Sequence, residues 1–200
     1  MAHLAPLPHN LNAELKDKFI HYKNTRGFIP NSILTMQRRP EIAKAFMALN
    51  QAVLYEGTVS EELKMLISLI ASQAAGCQYC QAHMANLAAI YEASKEKIEA
   101  VWEWETSPLF SNAEKAALTL AFHASVLPNE ASGKDFEVLK SYFTDDEVVE
   151  IVASIALFGY LNRWNDTMAT DLETLPKERA SNLLKEVGWS AGKHTGVMSR

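Results

Sequence analysis

Two hundred residues, 48% of them hydrophobic, are enough to bury a sizeable core, and no shift in composition along the chain argues for a second domain. A formal charge of -5 and an isoelectric point near 5.7, with no basic run beyond Arg38-Arg39, leave no electrostatic footprint for nucleic acid. The richest apolar runs, 65–75 and 148–161, are broken by Ser68, Ser72, Gln73, Glu150 and Ser154 and fall short of the roughly 20 apolar residues of a membrane span, so no membrane partner is expected.

Residues 1–12 lack the basic and then apolar stretches of a secretory signal, and their two prolines and two histidines predict a flexible lead-in. A single domain over 13–190 and a polar tail over 191–200 complete the expected organisation, in a cytoplasmic protein. In a reducing compartment a chain with only two cysteines, Cys77 and Cys80, uses them for catalysis or metal binding rather than as a staple.

Taken in order, Asn12 can cap a helix carrying Leu15, Phe19 and Tyr22 and stopped by Gly27. Asn31 can cap a short helix over Ile33, Leu34 and Met36, and Pro40 suits the first turn of the next, 41–55, with Ile42, Phe46, Leu49 and Val53 on one face. Ser60, followed by Glu61 and Glu62, starts a helix in which Leu63, Met65, Leu66, Ile67, Leu69, Ile70 and Ala74 make it apolar almost all round, which predicts a core position. Gly76 breaks it, and a second core helix then carries Cys80, His83, Leu87 and Tyr91 towards Ser94.

Ser94 caps a helix over Ile98, Val101, Trp102 and Trp104, ended by Pro108. Ser111 and Glu114 form a capping-box pattern ahead of a small-residue helix, Ser132 starts a shorter one, and Thr144 and Glu147 form a second box opening a long helix to Trp164. A last helix is expected over 176–187. With no convincing period-two runs joined by hairpin turns, the fold class is all-α, about eight to ten helices, with the CxxC pair at the start of a core helix.

The run Gly76-Cys77-Gln78-Tyr79-Cys80-Gln81-Ala82-His83 is where the chemistry concentrates. Residues three apart on a helix lie about 5–6 Å from one another, within reach of a disulfide, so Cys77 and Cys80 can open and close a bond with little backbone motion. Each step of three residues rotates about 60° around the axis, which makes His83 the neighbour of Cys80 rather than of Cys77. A helix N-terminus and an imidazolium both lower a thiol pKa, so Cys80 is expected to be the nucleophile, Cys77 its resolving partner and His83 the assisting base. Attack on a peroxide gives a sulfenic acid that Cys77 converts to a disulfide; the same turn without peroxide is a disulfide reductase. A zinc site requires four ligands, and only His83 and the distant His123 could join the thiols, so no metal and no cofactor are expected.

Ala75 to His83 after an apolar helix, together with Leu161-Asn162-Arg163-Trp164-Asn165-Asp166 at the end of a later long one, resembles the carboxymuconolactone decarboxylase superfamily in its alkylhydroperoxidase D-like (AhpD-like) branch. The resemblance runs from about residue 28 to 173. It implies an all-helical fold assembled as a homo-oligomer, a trimer or hexamer. It also implies thiol peroxidase activity of the peroxiredoxin type on hydrogen peroxide or organic hydroperoxides, with Cys80 peroxidatic, and regeneration by a lipoyl or thioredoxin-like dithiol. Two positions depart from the family pattern: Met65 stands where the relay glutamate is found, twelve residues before Cys77, and Met84 stands where the relay histidine is found. The rival readings are a disulfide reductase or redox-sensing interaction protein, and a lactone decarboxylase, whose chemistry does not need the paired thiols.

Overall fold

The computed structural model describes residues 2–196. Among these the chain is all-helical: α1 (Lys16–Arg26), α2 (Asn31–Met36), α3 (Pro40–Tyr55), α4 (Glu61–Ala74), α5 (Gln78–Ile90), α6 (Lys95–Glu99), α7 (Asn112–Ser125), α8 (Gly133–Lys140), α9 (Asp145–Met168) and α10 (Thr174–Leu183), with short 3-10 turns before α1, after α6 and near the C-terminus.

Helix α4 is the axis of the fold. Its residues Leu63 to Ser72 are buried without a break, and it packs against α5, α7 and α9, with α10 laid on α5. A helix enclosed on all sides must dispose of its polar groups internally. The Ser68 hydroxyl donates to the Lys64 carbonyl and the Ser72 hydroxyl to the Ser68 carbonyl, both at 2.7 Å, so neither serine is left unsatisfied. Lys64, 1% exposed, spans the core edge to the Glu150 carboxylate of α9 at 2.8 Å and also donates to the Glu56 carbonyl. Glu150 in turn accepts from the backbone N–H of Thr58 and Val59.

The helix starts follow their caps. Ser60, Ser94, Ser111, Ser132 and Thr144 each accept a backbone N–H with the side chain, and at Ser111, Ser132 and Thr144 the N3 carboxylate completes a capping box. Several local expectations need correction. Asn31 is the first residue of α2 rather than its cap, because its side chain is drawn away to the Asp171 carbonyl. On α3 the buried set is Ala43, Phe46, Met47, Asn50, Val53 and Leu54, leaving Ile42 and Leu49 exposed; the face is turned so that Asn50 can accept from the buried Tyr22 hydroxyl. Helix α6 tightens into a 3-10 turn by Ala100. Helix α9 continues past Trp164 to Met168 and ends on the left-handed Ala169. Helix α10 covers Thr174–Leu183, with Pro176 in its first turn, where a missing N–H costs nothing.

The two ends are more tied down than a lead-in and a tail suggest. His3 N–H donates to the Met168 carbonyl, Leu7 N–H to Leu34, and the Gln37 amide holds the Leu7 and Pro8 carbonyls. At the other end, the Leu172 N–H donates to the carbonyl of fully buried His194, and the Trp189 indole N–H donates to Gln78. Of the polar tail expected over 191–200, residues 197–200 lie outside the described residues.

The turn into α4 gives a test of the Lys64–Glu150 link. Gly57 has φ +96°, and a Cβ there would collide with the Glu150 carboxylate. Gly57→Ala is expected to lose on the order of 2 kcal/mol, seen as a drop of about 4–8 °C in the thermal midpoint; an unchanged midpoint would mean that this link is loose.

Candidate active site

The CxxC turn is made by the chain leaving α4. Gly76, at φ +72°, adopts the left-handed conformation that closes the helix, and the N–H groups of Gly76 and Cys77 return to the carbonyls of Gln73 and Ser72 at 2.8 and 3.0 Å. Cys77 is then the N-cap of α5, and its sulfur accepts the backbone N–H of Cys80 at 3.5 Å. Both cysteines are free and buried.

Cys80 lies in the wall of a small cavity of about 40 Å³, together with Tyr79, His83 and Asn165; Cys77 is not part of that wall. The Asn165 amide of α9 donates to the Cys80 sulfur at 3.4 Å, and its carbonyl oxygen Oδ1 is buried without a hydrogen-bond partner. His83 does not hydrogen-bond to Cys80, as its place one turn along α5 suggested. Its Nε2 lies 2.7 Å from Oε2 of Glu173, in the link between α9 and α10. The other Glu173 oxygen accepts from the Tyr79 hydroxyl at 2.9 Å and from the Asn31 backbone N–H. Tyr79 stacks on the imidazole with ring centres 4.3 Å apart, and Phe28 meets its edge at 5.4 Å. The ring is thereby fixed in plane and direction.

These surroundings set the charges. Burial raises the Glu173 pKa, but His83 and the donated hydrogen bonds outweigh it and hold the carboxyl below its usual range. An ionised Glu173 can only accept, so Nε2 of His83 carries a proton towards it, and Nδ1 is the ring nitrogen left for other partners. Burial and the same carboxylate push the Tyr79 hydroxyl well above its usual value. The Cys80 thiol moves opposite to expectation: burial, then the adjacent Cys77 thiol, push it well up, and the Asn165 amide opposes them. The helix N-terminus does not win because Cys80 has lost its water and His83 is turned to the carboxylate.

Among the other residues singled out in the sequence, Met65 is fully buried on α4, and Glu62 is engaged with Lys97 at 2.8 Å, so neither end of α4 sends an acid to the thiols. The carboxylate that meets His83 is Glu173, from elsewhere in the chain. His123 pairs with Asp135 at 3.1 Å on α7 and α8. Of the Asn-Arg run on α9, Asn165 enters the site, Asn162 donates to the Ala71 carbonyl at the end of α4, and Arg163 is exposed.

The fold and the thiol turn define a class, and comparison with known proteins agrees with it. Residues 40–122, α3 to α7 with the CxxC turn inside, match the model of the carboxymuconolactone decarboxylase family. The crystal structure of the debrominase Bmp8 C82A in complex with 2,3,4-tribromopyrrole superposes with a TM-score of 0.85 and 33% identity over 92% of this chain and 98% of that one. An AhpD-core, peroxidase-related protein from Ralstonia eutropha JMP134 gives 0.76 and 25% over 88% and 96%. The YnjA protein of Escherichia coli (strain K12) is 31% identical over 121 residues, 59% of this chain; the match covers just under two thirds, 66%, of YnjA's length. The chain belongs to the carboxymuconolactone decarboxylase superfamily, in its AhpD-like branch.

Two titrations test the geometry. Glu173 is stabilising while ionised, so its contribution is complete above about pH 4.3 and is lost as pH falls through its lower folded value. The urea midpoint of the wild type should therefore fall more steeply between about pH 5 and pH 3 than that of Glu173→Gln; parallel curves would remove the carboxylate from the site's energetics. In Cys77→Ser, the ultraviolet absorbance of the Cys80 thiolate should grow in only above about pH 8.5, and later still when Asn165→Ala is added.

Proposed function

We propose that the chain is a thiol-dependent reductase of small molecules, of the peroxiredoxin type, in which Cys80 attacks and Cys77 resolves and hydroperoxides are the substrate class. The observation that carries this reading is the unequal placing of the two thiols: Cys80 lies in the cavity wall beside His83 and Asn165, and Cys77 sits behind it as the cap of the same helix. A cavity of about 40 Å³ has room for a molecule the size of hydrogen peroxide. The unpartnered Asn165 Oδ1 offers an acceptor for the peroxide O–H.

In the cycle, Nδ1 of His83 takes the Cys80 proton, and the thiolate attacks one peroxide oxygen. The O–O bond breaks, the leaving oxygen recovers the proton as water or alcohol, and Cys80 becomes a sulfenic acid. Cys77 then attacks the Cys80 sulfur, a disulfide forms, and the sulfenic oxygen leaves as water. A lipoyl or thioredoxin-like dithiol returns two electrons by thiol–disulfide exchange. A raised Cys80 pKa gives this relay a purpose, because a thiol that is protonated at rest depends on a base at the moment of reaction. Glu173, by fixing the ring and its tautomer, is the positioning residue for His83. A cytoplasmic setting and a homo-oligomer, trimer or hexamer, belong to this reading; free thiols suit the first, and the exposed Val149, Val152 and Tyr160 of α9 suit the second.

A second reading is favoured by one observation, the 33% identity and 0.85 TM-score to the debrominase. In reductive dehalogenation the same thiols would become a disulfide while a ring carbon exchanges its halogen for a proton and halide is released.

The test is to add hydrogen peroxide to the reduced protein and follow thiol loss by mass spectrometry. Wild type should form the Cys77–Cys80 disulfide and Cys77→Ser should accumulate a sulfenic acid on Cys80, whereas Cys80→Ser should be inert; consumption by Cys80→Ser at the wild-type rate would refute the assignment. His83→Ala should slow the first step by about a hundredfold or more, with Glu173→Gln slowed in the same direction. Bromide release from a polybrominated pyrrole, with no peroxide consumption, would favour the second reading.

A further inference from the structure

The Cys80 cavity, of about 40 Å³, is too small for any substrate much larger than peroxide. Tyr22, Arg26 and Asn50 line both this cavity and a second space of about 320 Å³ between α1 and α3, which is open to the surface. Tyr22 and Asn50 are buried and held together, hydroxyl to amide oxygen. Arg26 is the third shared residue. It is a long, half-exposed side chain at the last position of α1, immediately before left-handed Gly27.

The partners of Arg26 are unusual for a guanidinium. Among the described residues it meets phenols and rings rather than a carboxylate. Its Nη2 donates to the Tyr55 hydroxyl, and its carbon lies 4.7 Å from the Tyr22 ring centre and 5.6 Å from that of Tyr55. Cation–ring contacts of this kind hold an arginine in place while leaving it without a counter-anion. The outer space also carries Lys18 and His21 on its α1 side, with Asp17 as an opposing charge. A cation end completes the C-terminal dipole of α1, and for an arginine with only that role the side chain could lie anywhere on the surface. Here it lines both the outer space and the cavity of the thiol.

We propose that substrates larger than peroxide reach Cys80 between α1 and α3, and that Arg26 both opens this passage and binds an anionic group, a carboxylate on a small organic molecule. The carboxylate takes the guanidinium from Tyr55 by a bidentate ion pair, and the displacement of Arg26 joins the outer space to the inner cavity. The proposal rests on the reading of Cys80 as the reactive thiol. It adds the class of substrate, organic molecules bearing a carboxylate at one end and the reducible group at the other.

Alkylation of Cys80 tests this without peroxide chemistry. Iodoacetate and iodoacetamide are alike in size and differ in charge; with each, the Cys80 sulfur displaces iodide and forms an S–C bond. Taking the ratio of the two rates cancels the fraction of thiolate. In full-length Cys77→Ser, adding Arg26→Gln should lower the iodoacetate-to-iodoacetamide ratio by about tenfold, the effect expected for one lost charge-assisted contact, and Arg26→Lys should retain part of it. A ratio unchanged within about twofold in Arg26→Gln overturns the proposal. Wild-type protein gives a check that needs no substitution at Arg26: benzoate should protect Cys80 from iodoacetamide and benzamide at the same concentration should not, and equal protection or none counts against the carboxylate site. If peroxide is not reduced but the ratio depends on Arg26, the proposed function fails and this site stands; if peroxide is reduced through Cys80 and the ratio is indifferent, the reverse holds.

Discussion

The Glu173 carboxylate is the constraint on which the site depends. Its side chain is only 10% exposed, and an ion so far out of water is tolerated only where donors replace its hydration. Three donors on two helices supply them: the backbone N–H of Asn31 at the start of α2, and the Tyr79 hydroxyl and the His83 ring of α5. Each donor is committed by the same bond that it provides. The imidazole tautomer, the orientation of Tyr79 and the approach of α2 to the α9–α10 link all follow from one carboxylate having to be satisfied.

An ion pair at the edge of the core, Lys64 with Glu150, does for the scaffold what Glu173 does for the site. It fastens the start of α4 to α9 and ties the preceding turn through Thr58 and Val59. At the other end of α4, Asn162 reaches the Ala71 carbonyl from α9, so the two helices are pinned on either side of the buried stretch. The CxxC turn therefore leaves a helix that cannot slide or rotate, and the two thiols inherit that rigidity.

What could be read in the sequence was whatever is local. The caps at Ser60, Ser94, Ser111 and Thr144, the all-round apolar α4, the break at Gly76 and the start of α5 at the thiols are each encoded within a few residues, and the all-helical class with them. The family resemblance carried through to the fold. The misses are tertiary. Ile42 and Leu49 have the spacing of a core stripe on α3, but the hydrogen bond from Tyr22 draws Asn50 inside and turns the face. Glu173 has no local mark at all: it lies 90 residues from His83, and only the pattern of an acid just before a helix with Pro176 in its first turn hinted at a fixed position there. Asn165 was visible in the Asn-Arg run, yet a cap and a thiol partner look alike in sequence. The direction of the Cys80 shift escaped for a related reason, since motif rules supply the helix end and the imidazole but not the burial that overrides them.

The α4–α5 turn and the contacts around it differ in sequence separation. Cys77 and Cys80 are brought together by a turn closed within a few residues, while Asn165 reaches Cys80 from 85 residues away and Glu173 reaches His83 from 90. Contacts of such long range carry a loop-closure cost that local ones do not, so the turn is available early in folding and its partners arrive late. A nascent or partly unfolded chain thus carries the thiol pair without the amide and the imidazole–carboxylate dyad. The environment of Cys80 is coupled to completion of the fold, and an incompletely folded molecule has only two ordinary cysteines.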